Sequence, residues 1–230
     1  MSSAGSSAPE PRDRQCLYWG TKRAADFAAG VLLALPAALL VGLAAAFGAV
    51  VQGRPVLLRQ ERVGRDGVPF RLLKLRTMTG APSFGRAYQE EGRITPYGRI
   101  LRRLKVDELP QVWHLLTGEM SLVGPRPLAA VHVAAADGGG RRHRIRPGFT
   151  CLAQLELIEH GYLDRYRQVA LDEEYLDRAC WRMDLAILAR SAALLLKLPH
   201  RREPLARHQP ELAGVRPEAA EAVSHHDRIG

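Results

Sequence analysis

Phe27-Ala-Ala-Gly-Val-Leu-Leu-Ala-Leu-Pro-Ala-Ala-Leu-Leu-Val-Gly-Leu-Ala-Ala-Ala-Phe-Gly-Ala-Val-Val51 contains no charged or strongly polar residue. A run of this length exceeds the ~20 apolar residues that a helix needs to cross a bilayer, so the chain is membrane-associated. A secretory signal fits poorly, because the run is longer than an ordinary signal core and begins far into the chain. Cations flank both ends, Lys22 and Arg23 on one side and Arg54, Arg59 and Arg62 on the other, which marks both ends as cytoplasmic. Pro36 removes one helical hydrogen bond and leaves two apolar arms, 27–35 and 37–51, each too short to span alone. A broken helix that enters and leaves on one face accounts for both observations. A proline-kinked single span is tolerated in membranes as well, and the segment by itself leaves both open.

The rest of the chain points to one catalytic-size domain beside this element. Among 230 residues, 33 Lys and Arg stand against 24 Asp and Glu, a net charge of +9, so the surface attracts anions such as nucleotides, lipid headgroups or nucleic acid. Nucleic acid is not the expected partner, because aromatic stacking motifs and a recognition module are lacking. Three widely spaced cysteines, Cys16, Cys151 and Cys180, offer neither a disulfide framework nor a zinc pattern and suit a reducing compartment. Residues 1–20 and 200–230 lack apolar periodicity and read as a disordered leader and tail. Between them lie the membrane element, 21–53, and the domain, 54–199. The expected fold class is mainly α with short β segments: a re-entrant membrane helix plus a small cytosolic catalytic domain with interfacial amphipathic helices.

Within the domain, the apolar runs Pro55–Leu58 and Val68–Leu73 flank Gly64-Arg65-Asp66-Gly67 and predict two extended segments joined by a turn. Residues 81–92 read as a mobile loop able to close over substrate. Thr95 and Pro96 are a cap and first residue for a basic helix to Leu104. A second helix opens at Asp107, with Leu109, Val112, Trp113 and Leu116 as its expected buried stripe. After a Gly-rich stretch at 134–140 and a dense basic cluster, Arg141 to Arg146, residues 162–179 read as a helix of mixed charge. Leu185 to Leu198 suits either the headgroup region or ordinary core packing.

Asp107 and Glu108 are the chemically suggestive pair. At a helix start, unpaired N–H groups and the helix dipole favour an ionised carboxylate, and ionised carboxylates attack phosphorus or ligate Mg2+. Acidic helix caps are nonetheless far commoner than catalytic pairs. Arg126, between Pro125 and Pro127, presents a planar fork for phosphate on a restricted backbone. Lys74, Arg76 and Arg102 are further candidate cations around a transferred phosphate. The basic cluster at 141–146 reads mainly as contact with anionic membrane lipids. His114 lies off the expected stripe and reads as a surface or supporting residue. Phosphate-binding Gly-rich loops and a serine elbow are absent.

Several ordered motifs then resemble one family, the bacterial sugar transferases or monotopic phosphoglycosyl transferases that begin lipid-linked glycan synthesis. They are Arg59-Gln60-Glu61-Arg62-Val63-Gly64, the run Phe70 to Met78, Asp107-Glu108-Leu109-Pro110-Gln111, Met120 to Pro127 and Arg146-Pro147-Gly148. The resemblance implies transfer of a sugar-1-phosphate from a UDP-sugar to polyprenyl phosphate, giving polyprenyl diphosphate sugar and UMP, in lipid-linked glycan or exopolysaccharide synthesis. It implies Asp107 as nucleophile forming a phosphosugar-enzyme intermediate, Glu108 with Asp107 as Mg2+ ligands, and Lys74, Arg76, Arg102, Arg126 and Arg142 as phosphate-binding cations. It further implies a re-entrant helix, attachment to the cytoplasmic membrane with the domain on its cytoplasmic face, and a homodimer as one possible assembly. The chain departs from the family in two places: Leu35 replaces the usual Ser before the hairpin proline, and Phe149 to Leu157 replaces a Trp- and Asn-Gly-containing stretch, a change that bears on sugar specificity. A catalytically silent scaffold of a glycan assembly complex is the alternative function; a complete Asp107, Glu108 and Arg126 set favours the enzyme.

Overall fold

The apolar stretch lies within one helix, α1, Pro11–Gln52. The computed structural model describes residues 11–80, 92–129 and 140–197. The first ten residues of the expected leader, nearly all of the expected loop at 81–92, the Gly-rich stretch at 134–139 and the tail lie outside the described residues. The second half of the expected leader belongs instead to α1, and Tyr18 is buried in the core. Pro36 stays inside the helix rather than dividing it into two arms. A proline deprives a helix of one hydrogen bond and bends it, but flanking turns can carry helical geometry through it.

A hairpin follows: β1 (Leu57–Val63) pairs antiparallel with β2 (Pro69–Leu75), from Leu57 opposite Leu75 to Val63 opposite Pro69. The turn between them holds Asp66 in the left-handed region, φ 56°. Helix α2 (Pro96–Leu104) begins as its sequence predicts, Thr95 accepting a hydrogen bond from the Gly98 N–H at 2.9 Å. Lys105, left-handed at φ 58°, ends α2 and leads into a 3-10 helix, Val106–Gln111, which continues as α3, Val112–Thr117. Pro110 cannot donate to the Val106 carbonyl, so this segment forms the tighter 3-10 turns. The changed winding rotates its faces. Gln111, Val112, His114 and Leu115 are buried, whereas Trp113, placed by the period in the core, is 57% exposed.

Strand β3 (Ser121–Val123) pairs in parallel with β4 (Gly148–Thr150). The glycines beside them are required: a Cβ on Gly124 would lie 2.6 Å from the Arg146 carbonyl oxygen, and one on Gly148 would lie 2.2 Å from the Gly124 nitrogen. Helices α4 (Leu152–His160), α5 (Arg165–Arg178) and α6 (Trp181–Lys197) complete the described fold. Tyr18, Val123, Leu155, Tyr175, Ala179 and Ile187 form one core cluster, and Phe70, Leu72, Leu115 and Met120 form another beneath the hairpin. Helix α6 packs into the core through Ile187, while Leu185, Leu195 and Leu196 are exposed.

Helix α1 is fastened to the domain at both ends. Near its start, Lys22 meets Asp184 at 2.5 Å, Arg23 donates to the carbonyls of Leu115 and Leu116, and Asp26 accepts from the Leu122 N–H. Near its end, the Tyr97 hydroxyl donates to the Ala44 carbonyl and Gln52 donates to the Arg76 carbonyl. Between these ties the helix presents Phe27, Val31, Leu32, Leu35, Leu39, Leu43 and Phe47 outward.

Candidate active site

Asp107 and Glu108 project from the first turn of the 3-10 helix, and both are substantially buried. The 3-10 helix is capped at Lys105, not at Asp107, and the Asp107 pKa is raised, contrary to the expectation that backbone N–H groups hold its charge. The Asp107 Oδ1 is buried without a hydrogen-bond partner among the described residues. Burial, then the Glu108 charge, push the Asp107 carboxyl above its usual range, against the pull of Lys74, Lys105 and Arg102. For Glu108, burial also opposes ionisation, but Lys74, Lys105 and Arg126 outweigh it and hold the carboxyl below its usual range. Lys74 Nζ lies 3.4 Å from Glu108 Oε1, and Lys105 Nζ lies 4.0 Å from Oε2. One carboxylate is therefore paired with cations, while its neighbour keeps an unused oxygen. Among the described residues no group of three or more His, Cys, Asp or Glu is disposed to hold a metal. Mg2+, however, is commonly held by one or two carboxylates together with substrate phosphates, and the orphaned Asp107 oxygen beside Glu108 fits that donor set.

The candidate cations divide. Lys74 and Arg102 act on the pair, with Arg102 Nε anchored on Thr77 Oγ1 at 2.9 Å. Arg126 bears electrostatically on Glu108 and Lys74. Its backbone is pinned because Gly148 N–H donates to the Pro125 carbonyl at 2.8 Å and Gly124 N–H to the Thr150 carbonyl at 3.2 Å, which explains why the Gly-Pro-Arg-Pro and Arg-Pro-Gly motifs occur together. Arg76 does not join the site: its guanidinium donates to the carbonyls of Gln52, Gly53 and Arg54 and so closes the end of α1, where cations stabilise unpaired carbonyls. Arg142 is buried and structural in character. It pairs with Asp172 at 3.0 Å and donates to the Arg126 carbonyl at 2.5 Å. The Arg126 carbonyl is thereby held. The Arg126 backbone also favours the charged form of Asp172.

Sequence reasoning missed three contributors. Lys105 supports Glu108, and Asp172 pairs with the Arg142 that holds the Arg126 carbonyl. Arg62 is half-buried, its Nε without a hydrogen-bond partner among the described residues, and it is held below its usual pKa by burial and then by Arg126. A signal for Arg62 was present, since the period of two puts it on the hairpin face that carries Lys74.

Comparison with known proteins fits this geometry. The model of the family described as bacterial sugar transferase matches residues 17–198. The chain belongs to the bacterial sugar transferase family. It is 40% identical over 186 residues to the UDP-glucose:undecaprenyl-phosphate glucose-1-phosphate transferase of Caulobacter vibrioides, covering 76% of this chain and 69% of that protein. It is 36% identical over 169 residues to the uncharacterized sugar transferase EpsL of Bacillus subtilis, covering 73% and 83% respectively. A UDP-N-acetylgalactosamine-undecaprenyl-phosphate N-acetylgalactosaminephosphotransferase of Aeromonas hydrophila is 35% identical over 166 residues, 69% of this chain but 37% of that longer protein. This family member is thus an enzyme of the phosphoglycosyl transferase type.

Proposed function

We propose that the protein transfers a sugar-1-phosphate from a UDP-sugar to polyprenyl phosphate, with Asp107 as nucleophile. The supporting observation is the buried, unpartnered Asp107 Oδ1 among Lys74, Lys105 and Arg102. An oxygen with no hydrogen bond to break is available to attack, and the cations favour its charged form against burial. Asp107 forms a bond to the β-phosphorus of the donor; the bond from that phosphorus to the bridging oxygen breaks, and UMP leaves with the electron pair. The lipid phosphate oxygen then attacks the same phosphorus and releases Asp107. Arg126 and Lys74 neutralise the diphosphate as charge moves to the leaving group. Glu108 with Asp107 would hold Mg2+, which when bound neutralises phosphate oxygens.

The ties of α1 support a re-entrant arrangement on one face of the membrane. A spanning helix puts its two ends on opposite sides, yet Lys22 to Asp26 and Ala44 to Gln52 both bind the same polar domain. The cationic residues at both ends support a cytoplasmic position for that side. The activity is tested with purified protein, Mg2+, polyprenyl phosphate and a panel of UDP-sugars. UMP release is expected, and Asp107→Asn should lower it by at least about 10³-fold. Intact mass with donor alone should show an added phosphosugar. Absence of release with every donor, or equal release by Asp107→Asn, overturns the enzymatic reading.

A further inference from the structure

We propose that a second cationic cleft, apart from the carboxylate pair, binds the phosphate of a membrane lipid headgroup. Trp19, Lys22, Arg23, Arg65, Arg144 and Arg146 help line a cavity of about 220 Å³. A water takes about 30 Å³ in the liquid, so the space admits a phosphate with part of its headgroup. Lys22 is neutralised by Asp184 and Asp26, but the arginines are not matched in the same way. Within the basic cluster, Arg141 pairs with Glu173 and Asp177, and Arg142 pairs with Asp172. Arg144 has no acidic ion-pair partner among the described residues, and Arg65 has only the exposed Asp66 at 3.0 Å. Arg146 is partly anchored, its Nε donating to the Gly118 carbonyl at 2.6 Å. Burial, then the charges of Arg65 and Arg23, hold its pKa below the usual value. Arginines crowded around an open space are relieved by a phosphate, whose oxygens match their planar donors.

The place of the cleft selects a lipid as the source. Arg23 lies over the Phe27 ring, 5.7 Å from its centre, and Phe27, Val31 and Leu32 are exposed just beyond it. A phosphate held there has apolar surface alongside for acyl chains, at the depth where aromatic and basic residues meet headgroups. The carboxylates are elsewhere: Asp107 lies in the first turn of the 3-10 helix, whereas Arg23 and Arg146 bind carbonyls at the far end of α3. This placement rests on the one-face membrane reading above.

The test compares wild type with R65Q/R144Q in detergent micelles, titrated with dihexanoyl phosphatidic acid or inorganic phosphate and read by isothermal calorimetry. Wild type should bind the lipid at least tenfold more tightly than inorganic phosphate. R65Q/R144Q should weaken lipid binding about tenfold, and R65K/R144K should retain it, which excludes misfolding as the cause. UMP release and the KM for polyprenyl phosphate should stay unchanged in the same samples. Equal affinity for lipid and inorganic phosphate overturns the lipid source, and unchanged binding in R65Q/R144Q overturns the cleft. A raised KM for polyprenyl phosphate in that variant would make the cleft an acceptor site and overturn its separateness. The binding comparison stands even if no donor yields UMP.

Discussion

His114 is 2% exposed and uses both ring nitrogens: Nε2 accepts from the Leu73 N–H at 3.1 Å, and Nδ1 lies 2.7 Å from Glu119 Oε2. It therefore joins the hairpin to α3 directly beneath the site. Replacing it with Phe leaves the Leu73 N–H without its acceptor, a loss of about 1–3 kcal/mol. A thermal melt should record this, with kcat of the folded fraction within about twofold of wild type. An unchanged melt would refute the role. Helical period alone placed His114 off the buried face, because the period assumed α winding where Pro110 imposes 3-10 turns. Asp172 was illegible for another reason, since it works through the backbone of a residue distant in sequence. Burial pushes its carboxyl up to about 6, against the pull of Arg142. A carboxyl raised above its unfolded value makes its stabilising contribution fully below the ordinary carboxylate range and loses it as pH rises through about 6. The melting temperature of wild type should accordingly gain on that of Asp172→Asn as pH falls from 7 to 5. A difference independent of pH over that window would contradict the assignment.

Among the elements, α2 was the most legible, because its cap and first proline act locally. Its position was not legible, because that depends on a close approach to another segment. A Cβ on Gly98 would sit 2.0 Å from the Thr77 carbonyl oxygen, and the same Thr77 anchors Arg102 through its side chain. Gly98→Ala would ordinarily gain about 1 kcal/mol of helix propensity. Here backbone must move, and overpacking of this kind costs about 1–3 kcal/mol. The denaturation midpoint should fall, and kcat should fall with it as Arg102 shifts from Asp107. Stability at or above wild type would show that α2 can move away freely. The hairpin was legible from its Gly-rich turn, and its register explains why Lys74 faces the site. Arg76, two residues on, lies beyond the ladder and turns to the end of α1, a destination that no local pattern encodes.

For the whole molecule, the apolar stretch announced a membrane protein, but its sequence left hairpin and span equally open. The contacts that bear on the choice are long-range: Asp26 to Leu122 at one end and Tyr97 to Ala44 at the other. At about 1.5 Å per residue, the 42 residues of α1 exceed the bilayer core, so length alone would permit a span. Attachment of both ends to one domain argues against it. Labelling of single cysteines decides the matter. Gly20→Cys lies before the apolar stretch, with open space around a new Cβ, and Val68→Cys lies after it at an exposed position; each is made with Cys16, Cys151 and Cys180 replaced. In intact spheroplasts, an impermeant maleimide should label neither position, and after permeabilisation it should label both. Labelling of Gly20→Cys before permeabilisation would put the two ends on opposite sides, and the ties of Lys22 and Asp26 to the domain would then have to break in the membrane.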